Sequence, residues 1–315
     1  MKVLVTGGNG FIGQYVCEYL EKKGHEPLVM DHHRGTAPKY EVFLADVRDA
    51  TAVTEAVAHV DGIIHLAAVL GTQETITNPR PAAETNVLGA LNIFEAANQY
   101  DVPTVYAGVG NHWMRSEGTG AYTISKTAAE DFVRMHVKYR GSRISIVRPV
   151  NAYGPRQSIA KPYGTSRVRK IMPAFTCRAL TGTDIEIYGD GAQISDCVWV
   201  GDVAEAFVRS LVYTDLHGPL PVPIEVGPTE SCTVAEVAQY VASQAASLTG
   251  LHPVGTRFLP MRPGEVPNAV VSSDTSTLSH IGMMPERMVP LEAGIRTTVK
   301  WYKENWLPGF EGSSV

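Results

Sequence analysis

The spacing of apolar positions changes part-way along this chain. Over the first 150 residues, short apolar runs with the character of buried strands alternate with longer amphipathic stretches. The runs are Lys2–Thr6, Pro27–Met30, Val42–Ala45, Gly62–Leu66, Thr104–Ala107 and Arg143–Arg148. Between them, apolar residues recur every three to four positions at Phe11–Lys23, Ala50–Ala58, Pro81–Gln99 and Ala121–Tyr139, which predicts helices. Strands alternating with helices predict a parallel sheet covered on both faces. From Val150 onward Pro and Gly are frequent and the order is less regular. Helical patterns remain at Ala174–Thr181, Val203–Tyr213, Val234–Leu248 and Leu291–Glu304, with strand fragments at Ile185–Tyr188 and Cys197–Val200. There is no repeat, low-complexity segment or interdomain linker.

The first strand runs directly into glycines at Gly7, Gly8, Gly10 and Gly13, and a helix opens near Phe11. Backbone without side chains at a helix N-terminus approaches a pyrophosphate closely, where free N–H groups and the helix dipole favour negative charge. Gly7, Gly10, Phe11, Ile12 and Gly13 are therefore expected to cradle a dinucleotide. Asp31 ends the second strand, eighteen residues after Gly13. A carboxylate there accepts both adenosine-ribose hydroxyls and repels a 2′-phosphate, which favours NAD over NADP. His32, His33 and Arg34 follow it and soften that preference; His32 and Arg34 are placed beside the adenosine. The two histidines lack metal-ligand spacing, and no metal is expected. The fold class is thus α/β, a Rossmann-type doubly wound parallel sheet with a smaller mixed α/β C-terminal substrate lobe. Residues 1–150 form the dinucleotide domain, with parts of 185–215 returning to it, and 151–315 are mainly the substrate lobe. Ligands should bind in the cleft at the carboxyl ends of the strands.

Composition narrows the function. The chain has 315 residues, 44% of them hydrophobic and 19% charged, with a formal charge of −5. A net negative charge argues against nucleic acid as the main partner. No apolar run is long enough for a membrane span, and the N-terminus reads as a strand rather than a signal peptide. Four scattered cysteines, Cys17, Cys177, Cys197 and Cys232, suit reduced thiols in a cytoplasmic protein.

Tyr122 and Lys126 stand four apart in a predicted helix and share one face. A phenol with a pKa of about 10 is a poor base near neutrality. A cation roughly 4 Å away is worth about 4 kcal/mol at intermediate dielectric, or about three pKa units. Lys126 and a positive nicotinamide ring would both supply that field, so Tyr122 is the expected base and both residues are expected to touch the cofactor.

Several motifs then occur in order: TGGNGFIG, Asp31, Asp46-Val47, His65-Leu-Ala-Ala68, Thr85-Asn-Val87, Tyr122/Lys126, Arg148-Pro-Val-Asn-Ala-Tyr-Gly-Pro-Arg156, Tyr188-Gly-Asp-Gly191 and Arg262-Pro-Gly-Glu265. Together they resemble the extended short-chain dehydrogenase/reductase family of NAD-dependent nucleotide-sugar epimerases and dehydratases, over the chain to about Trp306. The resemblance implies that Asp46 and Val47 meet the adenine. It also implies that Leu66, Ala67, Ala68 and Asn86 line the path to the nicotinamide, and that Pro149 touches its ring. Val69, Asn151, Lys170, Ser195, Arg262 and Glu265 would face the sugar nucleotide. Asn151 and Arg262 would hold its diphosphate, with Glu265 near the nucleoside. The helices Pro81–Gln99 and Ala121–Tyr139 resemble a pair that builds a four-helix bundle across the family's dimer, so a homodimer is expected. Small residues at Ala90, Ala96, Ala97, Ala128 and Ala129 permit close packing there, or equally within one chain.

Two departures bear on the reaction. Where the family offers serines or threonines after the fifth strand, this chain reads Ala107-Gly-Val-Gly110. Thr119, Ser116 or His112 would have to substitute; Thr119 is favoured as the third catalytic residue and His112 as a substrate contact. Ser195 stands where the family commonly has an arginine, and Lys161, Arg167, Arg169 and Lys170 are candidates to compensate. Dehydrating members carry an Asp-Glu pair where Gly110 and Asn111 stand, and the usual partners of decarboxylation are not evident. Epimerisation at C4 of a nucleotide hexose is therefore the expected reaction. A keto-sugar reductase is the alternative among enzymes, and an NAD-binding regulatory protein without catalysis the alternative outside them.

Overall fold

The residues described in the computed structural model are 1–35, 39–110 and 120–311. The N-terminal half contains β1 (Lys2–Thr6), α1 (Phe11–Lys22), β2 (Glu26–Asp31), β3 (Glu41–Leu44), α2 (Ala50–Val57) and β4 (Gly62–His65). Next, α3 (Arg80–Ala83) passes through a π-helical stretch, Glu84–Gly89, into α4 (Ala90–Tyr100). β5 (Thr104–Ala107), α5 (Ala121–Arg140) and β6 (Ile144–Pro149) complete this half. These elements agree with the apolar pattern to within a residue or two at most ends. The π-helical stretch was not foreseen.

The main sheet has seven strands in the order β11-β6-β5-β4-β1-β2-β3, all parallel, where β11 is Ile224–Val226. The strand order reverses beside β1, which opens a crevice at the carboxyl ends of β1 and β4. Side chains alternate through the sheet, as strand geometry requires. Val3 and Val5 face one core with Val16 and Leu20 of α1 and Phe207 and Leu211 of the helix Val200–His217. Leu4 faces the other, with Val53 of α2, Ile93 and Phe94 of α4, and Ala129 and Val133 of α5. Both faces are buried, so these strands read as unbroken apolar runs.

The chain leaves the sheet at β7 (Asn151–Tyr153) and builds α6 (Ile171–Leu180), β8 (Ile185–Tyr188), β9 (Ile194–Ser195) and β10 (Cys197–Trp199). It returns through α7 (Val200–His217) and β11, then leaves again for α8 (Val234–Thr249), β12 (Thr256–Leu259), β13 (Val270–Val271) and α9 (Leu291–Asn305). The strands outside the main sheet pair as three parallel two-stranded ribbons, β7 with β10, β8 with β12 and β9 with β13. A separate core joins Phe175, Ile185, Val237, Val241, Ile295 and Tyr302. Strand β11 escaped the sequence reading because three residues between Pro223 and Gly227 carry no resolvable period.

Candidate active site

The glycine turn is shaped by contacts that only glycine permits. Gly7 has φ +69°, and a Cβ on it would lie 3.0 Å from the Ala67 backbone. A Cβ on Gly13 would lie 2.3 Å from the Gly7 carbonyl oxygen. Gly10 opens α1 and donates its N–H to that same carbonyl at 2.9 Å, and no side chain caps the helix. Asp31, buried at the tip of β2, accepts the Asn9 N–H at 3.2 Å and the His33 N–H at 3.4 Å. A buried carboxylate beside an uncapped helix N-terminus and a backbone cradle fits a dinucleotide with its ribose on Asp31 and its pyrophosphate over Gly10 and Gly13. Phe11 and Ile12 follow in the first turn of α1, half-buried. His32, His33 and Arg34 are exposed. The imidazoles reach the Asp31 carboxylate at 3.3 and 3.5 Å, so three ligand-type groups gather within 4.8 Å although their sequence spacing suggested none.

Around the rest of the expected cofactor path, several side chains have partners within the chain. Asp46 is held by Arg48 through two side-chain hydrogen bonds of 3.0 and 2.7 Å, which keep its carboxyl below the usual range. The Val47 side chain packs in the core against Gly89. Asn86, expected to touch the cofactor, is buried. Its amide oxygen accepts the Val69 N–H at 2.8 Å, and its Nδ2 donates to the Val69 carbonyl and the Ser125 hydroxyl, each at 3.0 Å. Both Nδ2 hydrogens are thereby used. Thr6, not foreseen, plays a comparable part: its hydroxyl oxygen accepts the Leu66 and Ala67 N–H groups at 3.2 Å and lies 2.6 Å from His65 Nδ1. It sets the course of Leu66-Ala67-Ala68 as they leave β4. Pro149 ends β6, half-buried, beside Val226.

Tyr122 and Lys126 lie in the first two turns of α5. Lys126 is buried, and its Nζ sits over the Tyr106 ring, 4.1 Å from the centroid. His65 and Phe94 pack against that ring at 5.7 and 5.4 Å. The expected fall in the Tyr122 pKa is not found in the protein alone. Burial pushes the phenol up to about 12 and the Lys126 ammonium down to about 7. Desolvation penalises the charged form of each group, and at Lys126 it outweighs the favourable charge of Glu130. Thr119 and His112, with Ser116, lie outside the described residues.

Beyond α5 a cleft of about 310 Å³ runs into the substrate lobe. Gly120 and Thr123 mark its catalytic end, and Asn151, Lys170, Ser195, Arg262 and Glu265 line it further out. Asn151 donates to the Ser195 hydroxyl and the Asp196 carbonyl, each at 3.0 Å. The Arg262 guanidinium stacks on Tyr188, 4.7 Å from the ring centroid, and pairs with Glu265. Arg169 donates to the Tyr188 hydroxyl at 2.6 Å, so the ring carries a cation on its face and another at its edge. Nothing in the spacing of Tyr188 marked it as a platform. Lys161 also lines the cleft, whereas Arg167 does not. Lys170 is pushed down by burial, with Glu74 opposing the shift and Arg262 adding to it. Val69 lies outside this lining, on the strip held by Asn86. Five cations, Lys161, Arg169, Lys170, Arg178 and Arg262, line this half-enclosed cleft and suit an anionic ligand with a flat group attached.

A family model described as the NAD dependent epimerase/dehydratase family matches residues 3–219. The chain belongs to this family. Its members are NAD-dependent, which agrees with the buried Asp31 and the glycine cradle. This family member is 28% identical to a putative UDP-glucose 4-epimerase of Methanocaldococcus jannaschii, covering 96% of this chain and 99% of the relative. It is 29% identical to a dTDP-4-dehydro-6-deoxy-D-allose reductase of a Streptomyces species, covering 96% of each. Among solved structures, a UDP-glucose 4-epimerase from Thermus thermophilus in complex with NAD superposes with a TM-score of 0.79. That pair is 32% identical, over 97% of this chain and 100% of the other. The names of these relatives describe different reactions.

Proposed function

We propose that this protein is a nucleotide-sugar epimerase that inverts C4 of a nucleoside diphosphate hexose through a transient 4-keto sugar. One arrangement supports the reading above the others. The Tyr122/Lys126 pair lies on the helix whose start, Gly120 and Thr123, lines the cationic cleft, and the backbone leaving β5, Gly108 to Gly110, carries no carboxylate. Dehydration needs proton-transfer groups at that wall, and glycine supplies none. Bound NAD would supply the acceptor and donor of hydride at the sugar carbon. The chain's own residues do the remainder. Tyr122 takes and returns the C4 hydroxyl proton, with Lys126 as its cationic neighbour. Arg262 and Lys170 hold the diphosphate, assisted by Asn151, with Lys170 standing in for the charge that Ser195 does not provide. A ring anchored only through its diphosphate is free to turn and present its other face. In this reading Glu265 releases Arg262 as the nucleotide enters.

The test is proton NMR of the purified protein, without added cofactor, against UDP-, GDP- and dTDP-hexoses. A second anomeric signal that grows to a fixed ratio with its parent is expected. Net consumption of added NADH with a keto-sugar would instead point to a reductase. No change with any sugar, in folded and NAD-loaded protein, would favour a binding protein without catalysis.

A further inference from the structure

Glu130 lies on α5 one turn beyond Lys126 and is fully buried. Its Oε1 accepts the Val109 N–H at 3.1 Å, in the backbone that has just left β5. The same carboxylate receives Arg148 of β6, whose Nε lies 3.0 Å from Oε1 and whose Nη2 lies 2.5 Å from Oε2. Arg148 reaches on to Glu225 of β11 at 3.4 Å, and Glu225 accepts the Asp274 N–H at 2.9 Å. Gly108 is part of this arrangement. A Cβ there would lie 2.3 Å from Glu130 Oε1 and 3.0 Å from Arg148 Cγ, so the carboxylate fills the space a side chain would take.

We propose that Glu130 is the positioning residue of this site, fixing the catalytic helix to the backbone that leaves β5 and to the strand that ends in Pro149. The proposal rests on Tyr122 and Lys126 being the reacting pair. Three parts of the site come from separate elements, and the Glu130 carboxylate bonds to two of them from the helix that is the third. It also supplies the negative charge that favours the Lys126 ammonium against its burial. Among the described residues, Lys126 faces Tyr106 on β5, His65 on β4 and Glu130 on its own helix. Glu130, among the described residues, faces Arg148 on β6, Tyr106 on β5 and Arg134 one turn further along α5. Removing the Glu130 charge therefore lowers the Lys126 pKa.

The experiment compares full-length wild type with Glu130→Gln, Glu130→Ala and Gly108→Ala, reading turnover against pH and hydrogen exchange at the Val109 amide. Glu130→Gln keeps an acceptor for Val109, so exchange there should stay at the wild-type rate. Its alkaline limb, where the Lys126 ammonium is lost, should fall by about one unit, as for a unit charge roughly 6 Å away and partly neutralised by Arg148. Glu130→Ala should speed Val109 exchange at least about tenfold, as expected when a buried donor loses its acceptor. Gly108→Ala changes no charge but displaces the carboxylate, and should do both in milder form. A wild-type pH profile in Glu130→Gln, or wild-type Val109 exchange in Glu130→Ala and Gly108→Ala alike, overturns the proposal. If Tyr122→Phe were fully active, the underlying assignment of the base would fail instead. The exchange measurement decides the pinning role without any turnover.

Discussion

At Tyr122 and Lys126 burial works against the charged form of each partner, and the phenol needs a positive neighbour to act as a base at neutral pH. Tyr122→Phe removes the proton acceptor while leaving the cofactor cradle intact. It should retain bound NAD and lose about 10²–10⁴-fold in turnover, the usual contribution of general base catalysis; unchanged rates would remove Tyr122 from the reaction. Lys170→Ala should act on binding instead. Losing one charge-assisted bond to a phosphate costs about 1.5–3 kcal/mol, so KM should rise roughly 10- to 100-fold with kcat little changed. His65 makes a prediction about stability. Burial and the nearby Lys126 push its pKa down to about 3, below the 6.5 of an exposed imidazole. Between those values the unfolded chain holds the extra proton, so stability falls as pH drops below 6.5. The loss is at most about 1.4 kcal/mol per pH unit, or roughly 2 kcal/mol at pH 5. Urea midpoints at pH 7.5 and pH 5 should diverge by more in wild type than in His65→Gln; equal divergence would show that His65 is not the titrating group.

Among the elements, the π-helical stretch Glu84–Gly89 connects packing to the site most directly. It carries Asn86, whose side chain closes a ring of hydrogen bonds around the Val69 peptide and reaches Ser125 on α5. Asn86→Ala leaves the Val69 N–H and carbonyl without that partner, and should destabilise the fold by about 1–3 kcal/mol in urea titration. A change well below 1 kcal/mol would mean that water replaces the amide readily. The sequence could not show this stretch, since an extra residue in a helical turn leaves the apolar period almost unaltered. It showed the alternation of β1 to β6 with their helices plainly, because buried parallel strands and amphipathic helices leave different periods. It also showed the glycine cradle, whose spacing follows from backbone contacts within thirteen residues. What it hid depends on contacts between distant residues. The turning of Val47 into the core, the grip of Arg48 on Asp46, and the stacking of Arg262 on Tyr188 all belong to tertiary packing.

For the whole molecule, the face formed by α4 and α5 decides what assembly is expected. The alanines that would permit close packing between subunits are mostly occupied inside one chain: Ala90, Ala96, Ala97 and Ala129 are buried in the core beneath the sheet. The outward stripe of α5 is a different set, Ile124, Ala128, Phe132, Met135 and Tyr139, at the three- and four-residue spacing of one helical face. Ile124 is 57% exposed and Tyr139 72%, and Leu88 on the adjoining π-helical stretch is 56% exposed. A stripe of large apolar residues on neighbouring helices is what a second copy would cover by laying its own pair across it. We therefore expect a homodimer in which these helices form a four-helix layer. Ile124→Glu combined with Phe132→Glu would place charges without partners in that layer. Each costs several kcal/mol if buried, so association should weaken by at least about 10²–10³-fold. Light scattering across micromolar concentrations should give twice the chain mass for wild type and the chain mass for the double variant. A wild type that stays at the chain mass, or a double variant that stays paired, would mean that this face is not where two copies meet.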